Sequence, residues 1–271
     1  MNTRAVVAII RKDLGVVVRS KAVVMPLVLV PTILVVFVPL FLIGLGHLVD
    51  GAGPDADVDR LLGKMPLAVA HELAGLAPGH KFVVYGLTYL LAPLFLLIPV
   101  MTGSVIAADS FAGEKERKTL EALLFSPVTD LELFVAKVLP AWIASTLVSV
   151  ASFVLYAVIA NVGAWPFVGR AVLPNGMWLV LVLFVAPAFG GLGVAVTVFI
   201  SARVRGFQEA SQLGAVIVIP VVALVGAQVT GAMALSVPLV ALIGLGLWMI
   251  DGVLLWMGGK VFTRPRLLPK L

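Results

Sequence analysis

Residues 108–137 read A-D-S-F-A-G-E-K-E-R-K-T-L-E-A-L-L-F-S-P-V-T-D-L-E-L-F-V-A-K. This is the one long charged, helix-forming segment that lies between apolar segments long enough to cross a bilayer. Positions 109–137 carry six acidic and four basic residues, although only 12% of the chain is charged. Such a loop indicates either a contact with a soluble partner or a solvated connector between two membrane spans.

The first half of this segment is predicted to form a short amphipathic helix. Ser110 is a suitable N-cap, and Glu114 and Lys118 are spaced as an i,i+4 ion pair. An apolar stripe at helical spacing follows, and it consists of Leu120, Leu123 and Leu124.

Ser126 and Pro127 are predicted to end that helix, because proline disfavours the α conformation of the residue before it and has no backbone N–H. Thr129 and Glu132 then form a capping-box pattern that begins the next helix. The segment is therefore predicted to be a short helix, a sharp elbow and a membrane helix that continues rigidly from the elbow.

Residues 114–137 closely resemble the signature loop of the ABC-2 type transporter permeases, the membrane subunits of ATP-driven exporters. That loop has the pattern E-[KR]-E-x-G-T-[LM]-E-x-L-L-x-[ST]-P-[VI]-[ST]-x-x-E-[LI]-x-x-[GA]-K. The chain departs from it at Lys118, where many members have glycine, and we expect this change to cost helix flexibility. The resemblance implies an ATPase-contacting coupling site formed by Glu114, Lys115, Glu116, Arg117, Lys118, Thr119, Leu120, Glu121, Leu123, Leu124, Ser126 and Pro127.

A second polar segment, residues 201–214, reads S-A-R-V-R-G-F-Q-E-A-S-Q-L-G and resembles the matching segment of the same family, S-x-R-x-x-x-x-Q-E-A-x-Q-L. Two such motifs, separated by two spans, extend the resemblance over essentially the whole chain. The polar residues of this second cytosolic loop are Arg203, Arg205, Gln208, Glu209 and Gln212.

The composition places the chain among polytopic membrane proteins. Of its 271 residues 61% are hydrophobic, the mean hydropathy is +1.15, and the absence of cysteine excludes disulfides and thiol chemistry. We therefore predict an all-α integral membrane protein with one transmembrane domain over residues 1–271. Its six predicted spans are residues 23–45, 82–106, 138–160, 177–200, 213–234 and 237–257, with an external loop at 46–81 and a cytosolic coupling loop at 107–137.

Residues 3–21 are amphipathic and predict an N-terminal interfacial helix; the alternative is a stub that only supplies positive charge. Fifteen Lys and Arg residues fall on the predicted side of the termini and the coupling loop, against four on the other side. This asymmetry predicts that both termini are cytosolic, and the resemblance implies the cytoplasmic (inner) membrane of a prokaryote.

The three histidines, His47, His71 and His80, all fall in the predicted external loop. His71 and Glu72 begin like a zinc-protease motif, but Gly75 stands where the second histidine is required. We therefore expect solvated histidines and no metal site.

One ionisable residue lies inside a predicted span: Asp251, about six residues from the predicted cytosolic end of the sixth span. It either lines a cargo or ion path or snorkels and pairs with a base near the surface, and its shallow position favours the second. A small, polar stripe on the third span indicates close helix packing or, alternatively, a translocation surface. It consists of Ser145, Ser149, Ser152 and Tyr156, and Gly190, Gly193 and Thr197 form a similar stripe on the fourth span.

The chain has no G-x-x-x-x-G-K-[ST] phosphate loop, G-x-S-x-G or H-E-x-x-H motif, so neither ATP hydrolysis nor an intramembrane hydrolase is expected in it. The resemblance implies two ABC ATPase subunits that bind ATP and Mg²⁺, a second permease chain, identical or related, and outward transport. With so little buried charge, we expect an apolar or amphipathic cargo such as a drug, lipid or peptide, and no nucleic acid. The alternatives are sodium efflux through Asp251, a scaffold that recruits a cytosolic protein without transport, and a secondary transporter, which would need repeats or more intramembrane charges.

Overall fold

The fold is taken from a computed structural model of the chain. The structure describes residues 7–12, 15, 17, 20–52, 63, 67–73, 75–119, 129–201, 203–204, 206–233 and 235–261. Across these residues the secondary structure is helical, with turns between the helices and no strand. The prediction of an all-α membrane protein is confirmed.

Six helices among the described residues are long and apolar enough to cross a membrane. They are α1 (Lys21–Val49), α2 (Pro78–Glu116), α3 (Asp130–Val168), α4 (Gly176–Ser201), α5 (Phe207–Val229) and α6 (Val237–Gly259). We call the end of the bundle at which α2 ends and α3 begins the charged end.

Several of these helices contain π-helical or 3₁₀ segments. The segments of α1 are Lys21–Thr32, the π-helix Ile33–Phe37 and Val38–Ala52. Those of α2 are Pro78–Tyr85, the π-helix Gly86–Leu90, Leu91–Phe95, Leu97–Ala108, the π-helix Asp109–Gly113 and Glu114–Glu116. In α4 they are Gly176–Val180, the π-helix Leu181–Val185 and Ala186–Ser201, and in α5 they are Phe207–Gly214, the 3₁₀ turn Ala215–Ile217 and Val218–Val229. The last helix continues to Val261, and a short helix, Leu67–Glu72, lies between α1 and α2.

The helices extend beyond the predicted spans. Residues 46–52 continue α1 and residues 78–81 begin α2, although 46–81 was predicted to be loop; at the charged end, α2 and α3 extend into the predicted coupling loop 107–137. Hydropathy marks the apolar part of a helix, whereas the backbone hydrogen bonds continue through polar residues until a capping residue or a turn ends them.

The two central helices are α2 and α4, and most of their residues are buried. Glycines let them approach closely: a Cβ on Gly103 would lie 2.8 Å from the carbonyl oxygen of Gly190, and one on Gly193 would lie 2.7 Å from that of Val100. Large apolar side chains such as Leu147, Leu242 and Met249 are exposed on the outer helices α3 and α6, as suits a bundle surrounded by hydrocarbon.

The π-helix Gly86–Leu90 is joined to three other helices through its carbonyls. Tyr156 Oη donates to Leu87 O (2.5 Å), Trp178 Nε1 donates to Thr88 O (2.7 Å), and Gln228 Nε2 donates to the carbonyl of Tyr89 (3.1 Å). A π-helical turn interrupts the i→i−4 hydrogen-bond pattern of the α-helix. Because the bilayer core holds no water to bind free carbonyls, side chains of α3, α4 and α5 donate to them instead. Sequence reasoning found the position of Tyr156 but not this role.

The described residues near the N-terminus, 7–12, 15 and 17, are helical and precede the extended residue Ser20, which occupies the N-cap position of α1 without a side-chain capping hydrogen bond. Ile9 and Val17 are buried in a cluster that includes Phe111 and Leu133. The predicted helix 3–21 is thus shorter at its C-terminal end, since Lys21 begins α1, and this segment packs on the bundle. Its place at a membrane interface stays a prediction.

Two of the three histidines contact an aromatic ring, which the prediction of simply solvated side chains did not include. The rings of His47 and His80 lie 4.6 and 4.8 Å from that of Phe167, measured between centroids, whereas His71 is exposed.

Candidate functional site

The last turn of α2 ends in a Schellman motif. Thr119 N donates to Glu114 O (2.9 Å), Lys118 N donates to Lys115 O (3.1 Å), and Lys118 has φ 55°. This left-handed conformation favours glycine, which the signature loop of the ABC-2 type permeases often has at this position.

Two expectations about this turn are therefore wrong. Ser110 does not begin a separate helix, because α2 runs through it, and Glu114 and Lys118 do not form a helical i,i+4 pair, because Lys118 has left the helix. The left-handed conformation of Lys118 adds backbone strain at the end of α2, and the predicted loss of helix flexibility stays a prediction.

A buried ion pair joins α2 to α3. Lys137 is fully buried, and its Nζ donates to Glu114 Oε2 (2.5 Å) and to the Ser110 carbonyl (3.0 Å). The second carboxylate oxygen of Glu114 accepts from Lys12 Nζ at 2.5 Å. The ammonium of Lys137 also lies 5.7 Å from the ring centroid of Phe111. A buried charge is tolerated only when it is paired and hydrogen-bonded, so these contacts fix α3 against α2.

A second ion pair lies within the end of α2. Arg117 Nη1 donates to Asp109 Oδ1 at 3.0 Å, and Nη2 donates to the Asp109 carbonyl at 3.3 Å. Gly113 lies between the two side chains, where a Cβ would be 2.9 Å from Asp109 Oδ1 and 3.2 Å from the guanidinium. Arg117 is thus folded back along the helix.

The two sequence motifs meet at this turn. Glu116 Oε2 accepts from the backbone N–H of Phe207 (3.0 Å), and Lys115 Nζ donates to the Val204 carbonyl (3.1 Å). The N-cap residue of α5 is Gly206, which has no side chain to cap with, and Glu116 fulfils that role from α2. A Cβ on Gly206 would lie 2.7 Å from the same carboxylate oxygen.

The other polar residues of the second motif face outward. Arg203, Gln208, Glu209 and Gln212 are exposed, and Arg205 lies outside the described residues. Together with Glu116 to Thr119, which are also exposed, they form a polar surface at the charged end.

The predicted capping box at the start of α3 is confirmed. Thr129 Oγ1 accepts from the Glu132 N–H (3.3 Å), and Glu132 Oε2 accepts from the Thr129 N–H (2.8 Å). The remaining predicted coupling residues lie outside the described residues, so the amphipathic helix and the proline elbow stay predictions. They are Leu120, Glu121, Leu123, Leu124, Ser126 and Pro127.

The serine stripe on α3 lies in contacts between helices of this chain. Ser145, Ser149 and Ser152 are buried, and the hydroxyl of Ser145 donates to the Trp142 carbonyl and lies 2.5 Å from where a Cβ on Gly190 would be. This placement agrees with the close-packing interpretation, and a role in a cargo path stays a prediction.

Asp251 does not snorkel. It is 2% exposed, its two carboxylate oxygens have no hydrogen-bond partner among the described residues, and α6 continues ten residues beyond it to Val261. The preferred alternative, a carboxylate that snorkels or pairs with a base, is therefore wrong for the described residues, whereas the depth of Asp251 in the membrane stays a prediction.

Sequence reasoning did not assign Lys12, Asp109 or Lys137 to the site. Lys137 had a usable signal: its i−4 and i+4 neighbours, Leu133 and Ala141, are apolar and buried, so helical periodicity places it on the inward face. The partners of Lys12 and Asp109 depend on tertiary packing or on a side chain folded back over two turns, and the sequence carries no comparable signal for them.

Comparison with known proteins identifies relatives of the chain. Residues 7–250 match the family described as ABC-2 family transporter protein. Over 61 residues the chain is 41% identical to the ABC transporter permease protein NatB of Bacillus subtilis (strain 168). That match covers 22% of this chain and 15% of NatB.

Proposed function

This chain belongs to the ABC-2 family of transporter proteins, and from that membership we propose that it is the permease subunit of an exporter driven by a separate ATPase. The family match supports a transport subunit rather than an enzyme, and family membership implies an ATPase partner. ATP and Mg²⁺ are bound by that partner, since this sequence has no phosphate loop.

The observation that carries the proposal is the set of contacts made by one helical turn at the charged end. Glu114 binds Lys137 of α3 and Lys12 of the N-terminal segment, and two residues later Glu116 caps α5 at Phe207. An ATPase that moves the segment after Thr119 therefore acts on four parts of the chain together.

The distribution of Lys and Arg supports the proposed orientation in the membrane, and the family supports the proposed assembly. The excess of Lys and Arg on one side supports a cytosolic location for the charged end and both termini, in a prokaryotic cytoplasmic membrane. Two ATPases dock on residues 114–124, and a second permease chain, identical or related, pairs with this one. Cargo leaves the cell between the two permeases.

The cargo is apolar or amphipathic, such as a drug, lipid or peptide. Among the described residues the buried charged side chains are few, and four of the five are concentrated at the charged end. They are Asp109, Glu114, Glu132, Lys137 and Asp251. A bundle with so few buried charges suits such a cargo better than a bare ion, which needs several oxygen ligands.

The first test is mass spectrometry of the proteins that co-purify with the tagged chain from mildly solubilised membranes of its host. We expect a P-loop ATPase in near-equal amount.

The double substitution Glu116→Ala and Leu120→Ala is expected to preserve insertion and to abolish cargo-stimulated ATP hydrolysis, whereas Arg170→Ala, at the opposite end, is expected to leave hydrolysis unchanged.

Normal cargo-stimulated hydrolysis in the double variant would remove the coupling role from this turn. If no ATPase co-purifies in any of several detergents, the chain is better explained as a membrane scaffold for a cytosolic protein.

A further inference from the structure

A cavity of about 370 Å³ lies between α3, α4 and α6. Its walls include Phe134, Val138 and Trp142 of α3, with Gly191 of α4 and Trp248 of α6. Every lining residue in the described part of the chain is apolar or glycine except Asp251. The volume falls within the range of small-molecule sites, about 300–1,000 Å³.

Asp251 lines this cavity and has no hydrogen-bond partner within the described part of the chain. Its two carboxylate oxygens are buried and accept no hydrogen bond from the described residues. Gly191 makes room for the carboxylate, because a Cβ at this position would lie 2.6 Å from Asp251 Oδ2. A buried carboxylate without a partner costs free energy, and at a functional site that cost is offset by a bound ligand.

The two nearby indole N–H groups are already used elsewhere. Trp142 Nε1 donates to the Pro187 carbonyl (2.9 Å), and Trp248 Nε1 donates to the Phe184 carbonyl (3.1 Å). These bonds hold the two rings 6.1 Å apart in an edge-on arrangement with an interplanar angle of 83°. The rings therefore offer aromatic surface to the cavity, and the carboxylate has neither indole as a donor.

The chemistry of the walls selects the kind of ligand. An inorganic cation needs several oxygen ligands, and among the described residues that line the cavity Asp251 is the only one whose side chain supplies oxygens. An organic ammonium group needs one charge-assisted hydrogen bond, gains from aromatic faces, and brings an apolar body that suits the other walls.

We propose that this cavity binds a hydrophobic amine, with the protonated nitrogen against Asp251 and the apolar body between Trp142, Trp248 and the aliphatic side chains of α3. The inference rests on the proposed function only in regarding the bound amine as cargo; binding needs no ATPase. A failure to recover an ATPase partner would therefore leave this site intact.

The test is isothermal titration of the purified full chain in lipid nanodiscs with 4-phenylbutylamine, and with 4-phenylbutanol as the neutral analogue. We expect saturable binding of the amine that weakens about tenfold or more in Asp251→Asn, because the variant loses a hydrogen bond between two charged groups. The alcohol is expected to bind weakly and equally to both proteins. Glu209→Gln, which neutralises an exposed carboxylate at the charged end, is expected to leave amine binding unchanged.

Two further variants keep the carboxylate and decide the outcome if Asp251→Asn does not fold. Gly191→Ala adds a methyl group against Asp251, and Trp248→Phe weakens the aromatic surface; each is expected to weaken amine binding severalfold. Equal amine affinity in the parent chain and in the folded variants overturns the proposal, as does the absence of amine binding. A sodium-binding heat that depends on Asp251, with no such dependence for the amine, also overturns it in favour of an inorganic ion site.

Discussion

Glu114→Gln should destabilise the fold more than the loss of either of its lysine partners. Lys137 is fully buried, and its counter-ion among the described residues is Glu114, at 2.5 Å. In the variant its ammonium group keeps the carbonyl and hydroxyl of Ser110, at 3.0 and 3.4 Å, but it loses the carboxylate of Glu114.

The magnitude follows from the difference in burial between the two lysines. Removing one partner of a buried pair costs about 3–5 kcal/mol, so we expect Glu114→Gln to lower the free energy of unfolding by about 3 kcal/mol. In Lys137→Met the carboxylate retains Lys12, and we expect a loss of about 1–2 kcal/mol. The Lys12 side chain is 44% exposed, so Lys12→Met should cost no more than about 1 kcal/mol.

The double variant Glu114→Gln, Lys137→Met provides the decisive comparison. It removes both buried charges, so it should be more stable than Glu114→Gln alone even though it carries one more substitution. Unfolding by SDS in bicelles, followed by far-UV circular dichroism, measures each variant, with the exposed Gln212→Ala as the control, which should change stability by less than about 0.5 kcal/mol. If Glu114→Gln matches that control, or if the two single losses simply add in the double variant, Lys137 does not depend on Glu114 and the reasoning is refuted.

Glu116→Ala should speed hydrogen exchange at Phe207 and the rest of the first turn of α5 about fivefold, since a lost helix cap costs about 1 kcal/mol. Glu116→Gln keeps a carbonyl acceptor and should change the exchange rate little. Lys118→Gly should raise the melting temperature, because glycine relieves about 1 kcal/mol of strain in the left-handed backbone conformation, whereas Lys118→Ala should not raise it. An equal gain in both variants would show that the effect comes from removing the lysine charge. Gly193→Ala should destabilise the chain by about 1–3 kcal/mol in SDS unfolding, because its Cβ would lie 2.7 Å from a backbone carbonyl of α2. The control Gly246→Ala, which has open space around it, should be neutral or slightly stabilising. Equal effects of the two substitutions would show that α2 and α4 are less closely packed.

The features that could be predicted from the sequence are those with local causes. Six apolar runs predict six helices because a bilayer requires about 20 apolar residues per span, and six such helices are present among the described residues. The capping box of Thr129 and Glu132 was predictable because both of its hydrogen bonds lie within four residues.

The helix ends were less predictable because they depend on side chains and backbone conformations that hydropathy ignores. The prediction placed a new helix at Ser110, whereas α2 continues to Glu116 and ends at the left-handed Lys118. The polar residues at the end of α2 belong to the helix although they lie outside its apolar span.

The partners in the site could not be predicted from one sequence because they are distant along it. Glu114 meets Lys12 across 102 positions, and Glu116 meets Phe207 across 91. Both motifs could be recognised as polar segments at the same predicted side of the membrane, but their contact depends on the packing of α2 against α4 and α5. What the sequence did contain was the spacing of Glu114 and Glu116, which are two positions apart on a helix, face different directions and can therefore act on different neighbours.

This spacing explains how one short turn can transmit a displacement to most of the bundle. The segment between Thr119 and Thr129 is covalently joined to the end of α2 and to the start of α3, and the pair of Glu114 and Lys137 joins the same two helices a second time. Two helices that are joined at two points are expected to move together rather than slide. Because the carboxylate of Glu116 also caps α5, a movement of α2 takes the start of α5 with it. A force on this turn is therefore expected to act on α2, α3 and α5 together.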